Sequence, residues 1–410
     1  MSFKIFSKLA WRNVLRNKRR TFIAGTAIGI GLASLIYVDA AMIGMEINMI
    51  DSATASFMGE GQIHHLQYRE AFEVEKTILN LDEVNHRLEA DPEVAYFTPR
   101  AMAFGMISSP SNAGSVQMVG INPATERYLS EIDEVMVEGA YFEGDSPQDI
   151  VIGRKLAELL EAELGDRVVM TTAQAHTGDL AQEMFRVSGI YFFNVQELDQ
   201  YVAFVRLGRA QQMLGLPGEV HEVALKLSDP EIGRNAAHPL WARHAVDGNE
   251  AVGWSVLMPQ LVKVFDLADI SKWVVGLILF AIVALVIANS LFMSLYERMF
   301  EFGVLRAVGT RPLAMGRLVV FEAGALAAIS VVLGMILGFV LVYIVAYYGV
   351  DYGGIDYEGV TFRKRIYPVM QLSQFIVYPV AAYLFTLLIA LYPAGYAARL
   401  TPAKAMRKSF

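Results

Sequence analysis

The sequence contains no cysteine. Disulfides, thiolate nucleophiles and an acylated lipobox cysteine are excluded, while the redox compartment stays open. Nucleotide machinery is missing too: no G-x-x-x-x-G-K-[ST] loop occurs, so phosphates cannot be cradled by that route. Histidine is sparse, seven in 410 residues, and no H-E-x-x-H is present. His64 and His65 point to opposite sides of a strand, and His238 and His244 fall on different helix faces. A metal site would need long-range convergence. Gly165-Asp166 and the acids between Glu131 and Glu138 fit solvated turns better than catalytic carboxylate pairs. No catalytic residue and no metal ligand stands out, so no cofactor is expected in this chain.

What is abundant is apolar. Hydrophobic residues make up 54% of the chain and the mean hydropathy is +0.38, which speaks for membrane segments rather than two or three soluble domains. Four runs, residues 22–45, 273–296, 318–348 and 375–398, reach the roughly 20 residues that a spanning helix needs. Residues 46–271 hold no such run. The expected fold is a membrane protein: an α-helical bundle of four transmembrane helices with a large α+β domain inserted between the first and second.

Charge is distributed unevenly. Residues 1–21 carry seven Lys or Arg and no acid, and residues 399–410 carry four and no acid. Residues 46–271 hold 35 acids against 15 bases, a balance of −20. So acidic a domain repels nucleic acid. Short basic loops stay cytoplasmic, so the N-terminus, the 297–317 loop and the 399–410 tail are expected inside. The 46–271 domain and the 349–374 loop are then expected outside.

Lys4, Lys8, Arg12, Arg16 and Arg19, with Phe3, Phe6, Leu9 and Val14 between them, read as an amphipathic helix on the inner leaflet. A cleavable signal peptide is the alternative, but the apolar run is too long for one and ends in no cleavage site, so an uncleaved anchor is expected. Gly25-x-x-x-Gly29 in the first span and Gly334-x-x-x-Gly338 in the third are small-residue spacings that let helices pack closely. Asp39 and Glu322 lie about one turn inside the ends of their spans, where snorkelling places a carboxylate at the interface; a proton or ion role is the alternative.

In the outer domain, Gly61–Tyr68 reads as extended, Leu81–Ala90 as helix, and Val94–Ile107 and Ser115–Ile121 as strands. A similar order returns with strand Glu222–Leu227, helix Glu231–Ala245 and strand Glu250–Leu257. Residues 46–121 and 219–260 thus form two strand-helix-strand units around a mostly β insertion, 122–218, with one helix.

The loop between the second and third spans, YERMFEFGVLRAVGTRPLAMGR, favours a short helix from Glu297 to Val308, stopped by Gly309 and Pro312. Phe300, Val304 and Ala307 share one of its faces. Either this is a turn with arginines placed for topology, or it is a projecting helix that a soluble partner grips.

AWRNVLRNKRR, ERMFEFGVLRAVGT and YPAGYAARLTPAKAMR together resemble the FtsX-like permeases of ABC transporters. VGINPATE, VEGAYFEG, DIVIGRKLAELL and LGDRVVM resemble the periplasmic core domain of MacB and of the LolC and LolE permeases. The resemblance implies a mechanotransmission (type VII) transporter that acts as a dimer of identical or paralogous permease subunits. It implies a separate cytoplasmic ABC ATPase dimer carrying ATP and Mg, because MacB has its ATPase fused ahead of the first span and this chain opens on the membrane anchor. The loop helix becomes the coupling helix, with Glu297, Arg298, Glu301, Gly303, Leu305, Arg306 and Gly309 seated in the ATPase. The outer domain becomes a Porter part (46–121 and 219–260) and a Sabre insertion (122–218).

Three functions follow from the resemblance. Release of lipoprotein or other lipid-anchored cargo from the inner membrane leads. MacB-like efflux of a small molecule or peptide through an adaptor and outer-membrane channel is second. FtsX-like regulation of a cell-wall hydrolase is third. Ile43, Met45, Ile47, Met49, Ile50, Phe57 and Met58 suit a cargo groove or the packing of a helical stalk equally. Expected partners are thus the ATPase, a second permease subunit, membrane lipid, and a periplasmic chaperone, adaptor or lipoprotein.

Overall fold

The computed structural model describes residues 3–401 apart from 17, 143, 145, 352–355, 358, 359 and 362–364. The side chains of residues 3–8, 15, 20, 356, 357, 360 and 361 lie outside the description, and with them Phe3, Lys4, Phe6 and Lys8 of the expected amphipathic face; so does the tail beyond Thr401. The chain divides into two units. One comprises Met1–Ile47, Phe265–Asp351 and Arg365–Phe410; the other comprises Asn48–Val264 and Tyr352–Lys364.

The first unit is helical. Its four long helices are Lys18–Ala53, Pro259–Glu297, Pro312–Tyr348 and Gln374–Ala398, called here the first- to fourth-span helices. The first two, 36 and 39 residues long, extend about 54 and 58 Å, well beyond the roughly 30 Å of hydrocarbon. Apolar composition marks the part of a helix that crosses lipid, not where hydrogen bonding stops, so these helices outrun the 22–45 and 273–296 runs. The two small-residue motifs face each other. A Cβ on Gly29 would stand 3.3 Å from Gly334 N and from Ser330 O, and one on Gly334 would stand 2.9 Å from Gly29 O. Only glycine permits that approach, and dispersion between the two backbones holds it.

Ahead of the first span, helix Phe3–Arg16 packs on the third-span helix through buried Ala10 and Val14. Leu9 and Trp11 face outward. The expected surface helix is therefore anchored on protein along one side.

The second unit is built on ten strands: β1 Gly61–His65, β2 Val94–Ser108, β3 Ala113–Ile121, β4 Met136–Gly139, β5 Asp149–Gly153, β6 Arg167–Ala173, β7 Leu180–Tyr191, β8 Val202–Arg206, β9 Glu222–Leu227 and β10 Asn249–Gly253. β2 changes partners along its length. Its Val94–Arg100 half pairs with β9 in the order β10-β1-β9-β2, while Ala101–Ser108 pairs with β3. From there β3-β8-β5-β7-β6 returns to β2 at Gly105–Ser108, closing six strands on themselves.

This closure corrects the expected division. Strands β6 and β8 of the 122–218 segment pair with β2 and β3, so a boundary at 121/122 would cut one closed sheet. Long-range strand pairing leaves no mark on local periodicity, which is all that a single sequence offers. Among its described residues the segment also holds four helices rather than one: Pro123–Glu126, Arg154–Leu160, Gln196–Tyr201 and Leu207–Leu214. The expected helix Glu231–Ala245 is broken, because Pro239 begins a second helix, Pro239–His244, with His238 as its cap. The expected strands Gly61–Tyr68 and Glu250–Leu257 stop at His65 and Gly253, each followed by a helical turn.

Alternation along the strands builds two apolar layers. One face gathers Ala103, Met118, Ile152, Met170, Phe185 and Val205 under Leu156, Leu160 and Met213 of the covering helices. The other gathers Met102, Val119, Val151, Tyr191, Phe193 and Phe204. Each large side chain so buried contributes about 1.5–3 kcal/mol relative to exposure.

Candidate functional site

The second-span helix ends at Glu297. Arg298 leaves helical geometry (φ −109°, ψ 16°), and a separate short helix follows, Met299–Ala307. Gly309, at φ +98°, turns the chain, and Pro312 sits in the first turn of the third-span helix behind an extended Arg311. The short helix is thus bounded at both ends, as its residues suggested, starting two residues later than Glu297 and ending one residue before Val308.

Its two faces differ. Met299, Phe302 and Gly303 are buried, and Phe302 joins Leu295, Met315, Leu318, Val319, Ala394 and Ala397 in one apolar cluster. Phe300 (54% exposed), Val304 (41%), Leu305 (41%) and Val308 (82%) point away from it. An exposed apolar ridge of this kind marks an interaction surface, for another protein or for the membrane.

Three polar side chains of the loop, Arg298, Glu301 and Arg306, are engaged within the chain. Arg298, 8% exposed, donates from Nη1 to Glu322 Oε1 (2.5 Å) and from Nε to Glu301 Oε2 (2.9 Å). The same Glu322 oxygen accepts from Asn13 Nδ2 at 2.6 Å, and Glu301 Oε1 accepts from Arg16 Nη2 at 3.1 Å. The Arg298 hydrogen bond holds the Glu301 carboxyl below its ordinary value, with Arg16 assisting. Arg306 donates to the carbonyls of Thr310 (2.8 Å) and Leu400 (3.4 Å). One carboxylate of the third span thereby gathers the N-terminal helix and the start of the loop helix.

Both acids of the spans are enclosed by partners within the helical unit rather than extended toward water. Glu322 is 6% exposed and ion-paired as above. Asp39 is 7% exposed; Lys272 Nζ lies 3.3 Å from one of its oxygens and Gln374 Nε2 donates to the other at 3.0 Å. Each carboxylate thus has a cation and an amide at hand from other segments of the same unit, as an acid in a span requires.

Two family models cover most of the chain. The MacB-like periplasmic core domain matches residues 21–237, and the FtsX-like permease C-terminal domain matches 273–402. The chain belongs to the FtsX-like permease family with a MacB-like periplasmic core. It is an ABC transporter permease of the inner membrane, and the domain between its first two spans is periplasmic. The permease is 24% identical to the lipoprotein-releasing system transmembrane protein LolC of Neisseria meningitidis, over 84% of this chain and 85% of that one. LolC of Xylella fastidiosa is 25% identical over 96% of both chains, and LolE of Haemophilus influenzae 23% identical over 97% of this chain and 98% of its own. Among solved structures, the periplasmic region of MacB from Actinobacillus actinomycetemcomitans covers 51% of this chain and 94% of its own at 14% identity, with a TM-score of 0.35.

The permease distributes its expected coupling residues unevenly. Leu305, Glu297 and Gly309 are exposed, Arg298 and Gly303 are buried, and Glu301 and Arg306 are engaged within the chain. The outward set is better described by Phe300, Val304 and Val308, four residues apart in the sequence, with Leu305 beside them. The groove residues do not form one open surface. Ile43, Met45 and Ile47 belong to the helical unit, while Met49 and Ile50, in the other, are buried. Phe57 packs edge-on to Phe204 at 5.5 Å and lies 4.1 Å from the Arg100 guanidinium, and Met58 is half-buried. Stalk and core packing accounts for Met49, Ile50 and Phe57.

Missed altogether was a row of charges across four strands. Arg100 on β2 stands opposite Glu222 on β9, which stands opposite His64 on β1, itself opposite Glu250 on β10. Arg100 donates to Glu222 (2.7 Å) and by two nitrogens to Glu126 (2.5 and 3.1 Å). The row is enclosed as far as His64 and reaches partial exposure at Glu250.

Proposed function

We propose that this permease carries movement from a separate cytoplasmic ABC ATPase, which holds ATP and Mg, to its periplasmic domain, and that the movement releases lipid-anchored protein from the inner membrane. The observation that supports it is the uncovered ridge Phe300–Val304–Leu305–Val308 on a helix whose opposite face and polar groups are tied to the spans. Such a helix can be pushed only together with the third span and the N-terminal helix. Closure of an ATPase dimer beneath two copies would then act as a rigid-body switch biased by nucleotide. That the LolC and LolE relatives are lipoprotein-releasing system transmembrane proteins supports this cargo class. No residue of this chain is assigned a chemical step.

The test is purification of the full chain from native membranes in mild detergent, with Val304→Glu and Val308→Glu beside the parent. Both substitutions alter the ridge and spare the Arg298 cluster. A P-loop ATPase retained by the parent and lost about tenfold or more from the variants is the expected result. Retention of lipid-labelled proteins by the parent complex supports the cargo. An ATPase bound equally by parent and variants removes the ridge as the docking surface.

A further inference from the structure

The outer end of the first-span helix is gripped by the chain that links the third and fourth spans. Gly44 makes the grip possible: a Cβ there would overlap the Tyr367 carbonyl oxygen and stand 2.9 Å from its carbon and 3.1 Å from Pro368 Cα. With that side of the helix bare, the Val369 N–H donates to the Ala40 carbonyl at 2.9 Å. A carbonyl oxygen carries two lone pairs, so Ala40 can accept this bond beside the one of its own helix. The gripping segment is itself held at the end of the third span, where Val350 and Ile366 exchange two hydrogen bonds of 2.9 Å.

Just over one turn inward, Asp39 completes the joint. Gln374 Nε2 donates to its Oδ2, while the Gln371 N–H donates to the oxygen of the same Gln374 amide at 3.0 Å and fixes which way it faces. Lys272 Nζ stands 3.3 Å from Asp39 Oδ1, and the Tyr378 hydroxyl lies beside the same carboxylate. Asp39, Ala40 and Gly44 are buried, and each of these contacts is made within one chain. A second copy of the permease can add to them but does not create them.

Gly44 is the second backbone contact of this helix. The first, Gly29 on Gly334 of the third-span helix, lies about 22 Å away along the axis. A helix held at one point can tilt about it; held at two points this far apart, it tilts only with what holds it. We infer that Gly44 and Asp39 are the positioning residues of a rigid joint, and that the first, third and fourth spans swing as one lever. Hydrocarbon gives helices no hydrophobic reason to stay together, so close backbone approach and satisfied polar groups are what hold such a body. Movement that enters the third span from the loop helix then appears at the outer end of the first span without slack. The source of that movement rests on the ATPase reading above; the joint does not.

The absence of cysteine allows a direct test on the full chain. Spin labels at Ile47→Cys and Leu372→Cys, with labelled chains diluted in unlabelled ones, report the separation across the joint by pulsed electron paramagnetic resonance. The parent should give one narrow separation, the same with and without ATP, and Gly44→Ala should widen it. Alanine favours a helix over glycine, so the widening cannot come from a weakened first span. In membrane vesicles without labels, Gly44→Ala should go on hydrolysing ATP but release about fivefold less palmitate-labelled protein per ATP. Asp39→Asn, which keeps an acceptor for Gln374 and loses the charge facing Lys272, should shift the same ratio less. A parent separation that changes with ATP makes the joint a latch and overturns the rigid lever. A Gly44→Ala separation equal to the parent's overturns the joint. Hydrolysis and release that fall in proportion overturn the positioning role of Gly44 and Asp39. If the parent releases nothing in response to ATP, the ATPase-driven reading fails, and the spin-label separations still decide the joint.

Discussion

Two arginines, each facing two carboxylates, sit in the two units of this permease and have different surroundings. Arg100 is fully enclosed, Glu126 and Glu222 are enclosed with it, and the Phe57 ring covers the guanidinium. Arg298 is enclosed only on the Glu322 side. Its other partner, Glu301, is 46% exposed and passes the chain of contacts to Arg16, which is 55% exposed. The first cluster is enclosed from Glu126 through Arg100, Glu222 and His64 and reaches partial exposure only at Glu250 (20%) and Arg69 (31%) at the far end of its row; the second passes from the interior to the surface through the arginine's own second partner, beside an uncovered helix. Identical chemistry therefore serves two ends. A closed cluster can only hold strands in register, whereas a graded one can be rearranged from its wet end without stranding a charge in the interior.

Arg100→Met should produce the largest effect on stability. It leaves two buried carboxylates without a counter-charge, a loss of about 3–5 kcal/mol by denaturant unfolding of the full chain. Adding Glu126→Gln and Glu222→Gln should recover much of it, because the cost lies in uncompensated charge. A loss below about 1 kcal/mol for the single variant would erase the distinction between the two clusters.

Glu322→Gln should cost less, about 1–3 kcal/mol, since the amide oxygen can still accept from Arg298 or Asn13 and Glu301 still neutralises the arginine. The more telling readout is protease cleavage in the loop helix, which should quicken once Arg298 is released from the third span. Glu322→Gln that unfolds the protein as severely as Arg100→Met would show that the graded cluster is as closed as the other.

The membrane part of this contrast was legible in the sequence, and the partners were not. Apolar runs of 24 residues or more admit few readings, and helix Leu81–Ala90 and strand Glu222–Leu227 fall at their expected bounds. Local pattern carried those elements. Asn13 and Glu322, or Asp39 and Gln374, meet across most of the chain, and no periodicity links them. Arg298 was expected to face an ATPase because it lies in the loop. Its inward turn follows from an acid 24 residues later in the next helix, a spacing that a helical hairpin brings together. The Arg100 row depends on the register of β2, β9, β1 and β10, which long-range pairing alone sets.

The smallest effect sharpens the same comparison through pH. His221 is wholly buried in the periplasmic domain, next in sequence to Glu222. Its Nδ1 faces the Met102 N–H at 2.9 Å, and an N–H can only donate, so Nδ1 accepts and the proton resides on Nε2, directed at the Val74 carbonyl (2.9 Å). Protonation would set two donors against each other. Burial is the main cause that holds this imidazole below its ordinary value of 6.5, against the opposing influence of the Val74 carbonyl and of Glu219, Glu222 and Glu75. A group whose folded value is depressed binds more protons when unfolded. Its contribution to stability is complete above about 6.5 and falls as pH drops toward the folded value. Glu222 has the same sign at lower pH: burial opposes its ionisation, but the His64 hydrogen bond and the Arg100 charge prevail and hold it below 4.5. The melting temperature of the periplasmic domain in the full chain should therefore decline modestly between pH 7.5 and 5.5. His221→Gln should lower it at pH 7.5 and flatten that slope. An unchanged slope would mean that His221 is not the group taking up the proton, and that the acid sensitivity of the closed region begins only with its carboxylates.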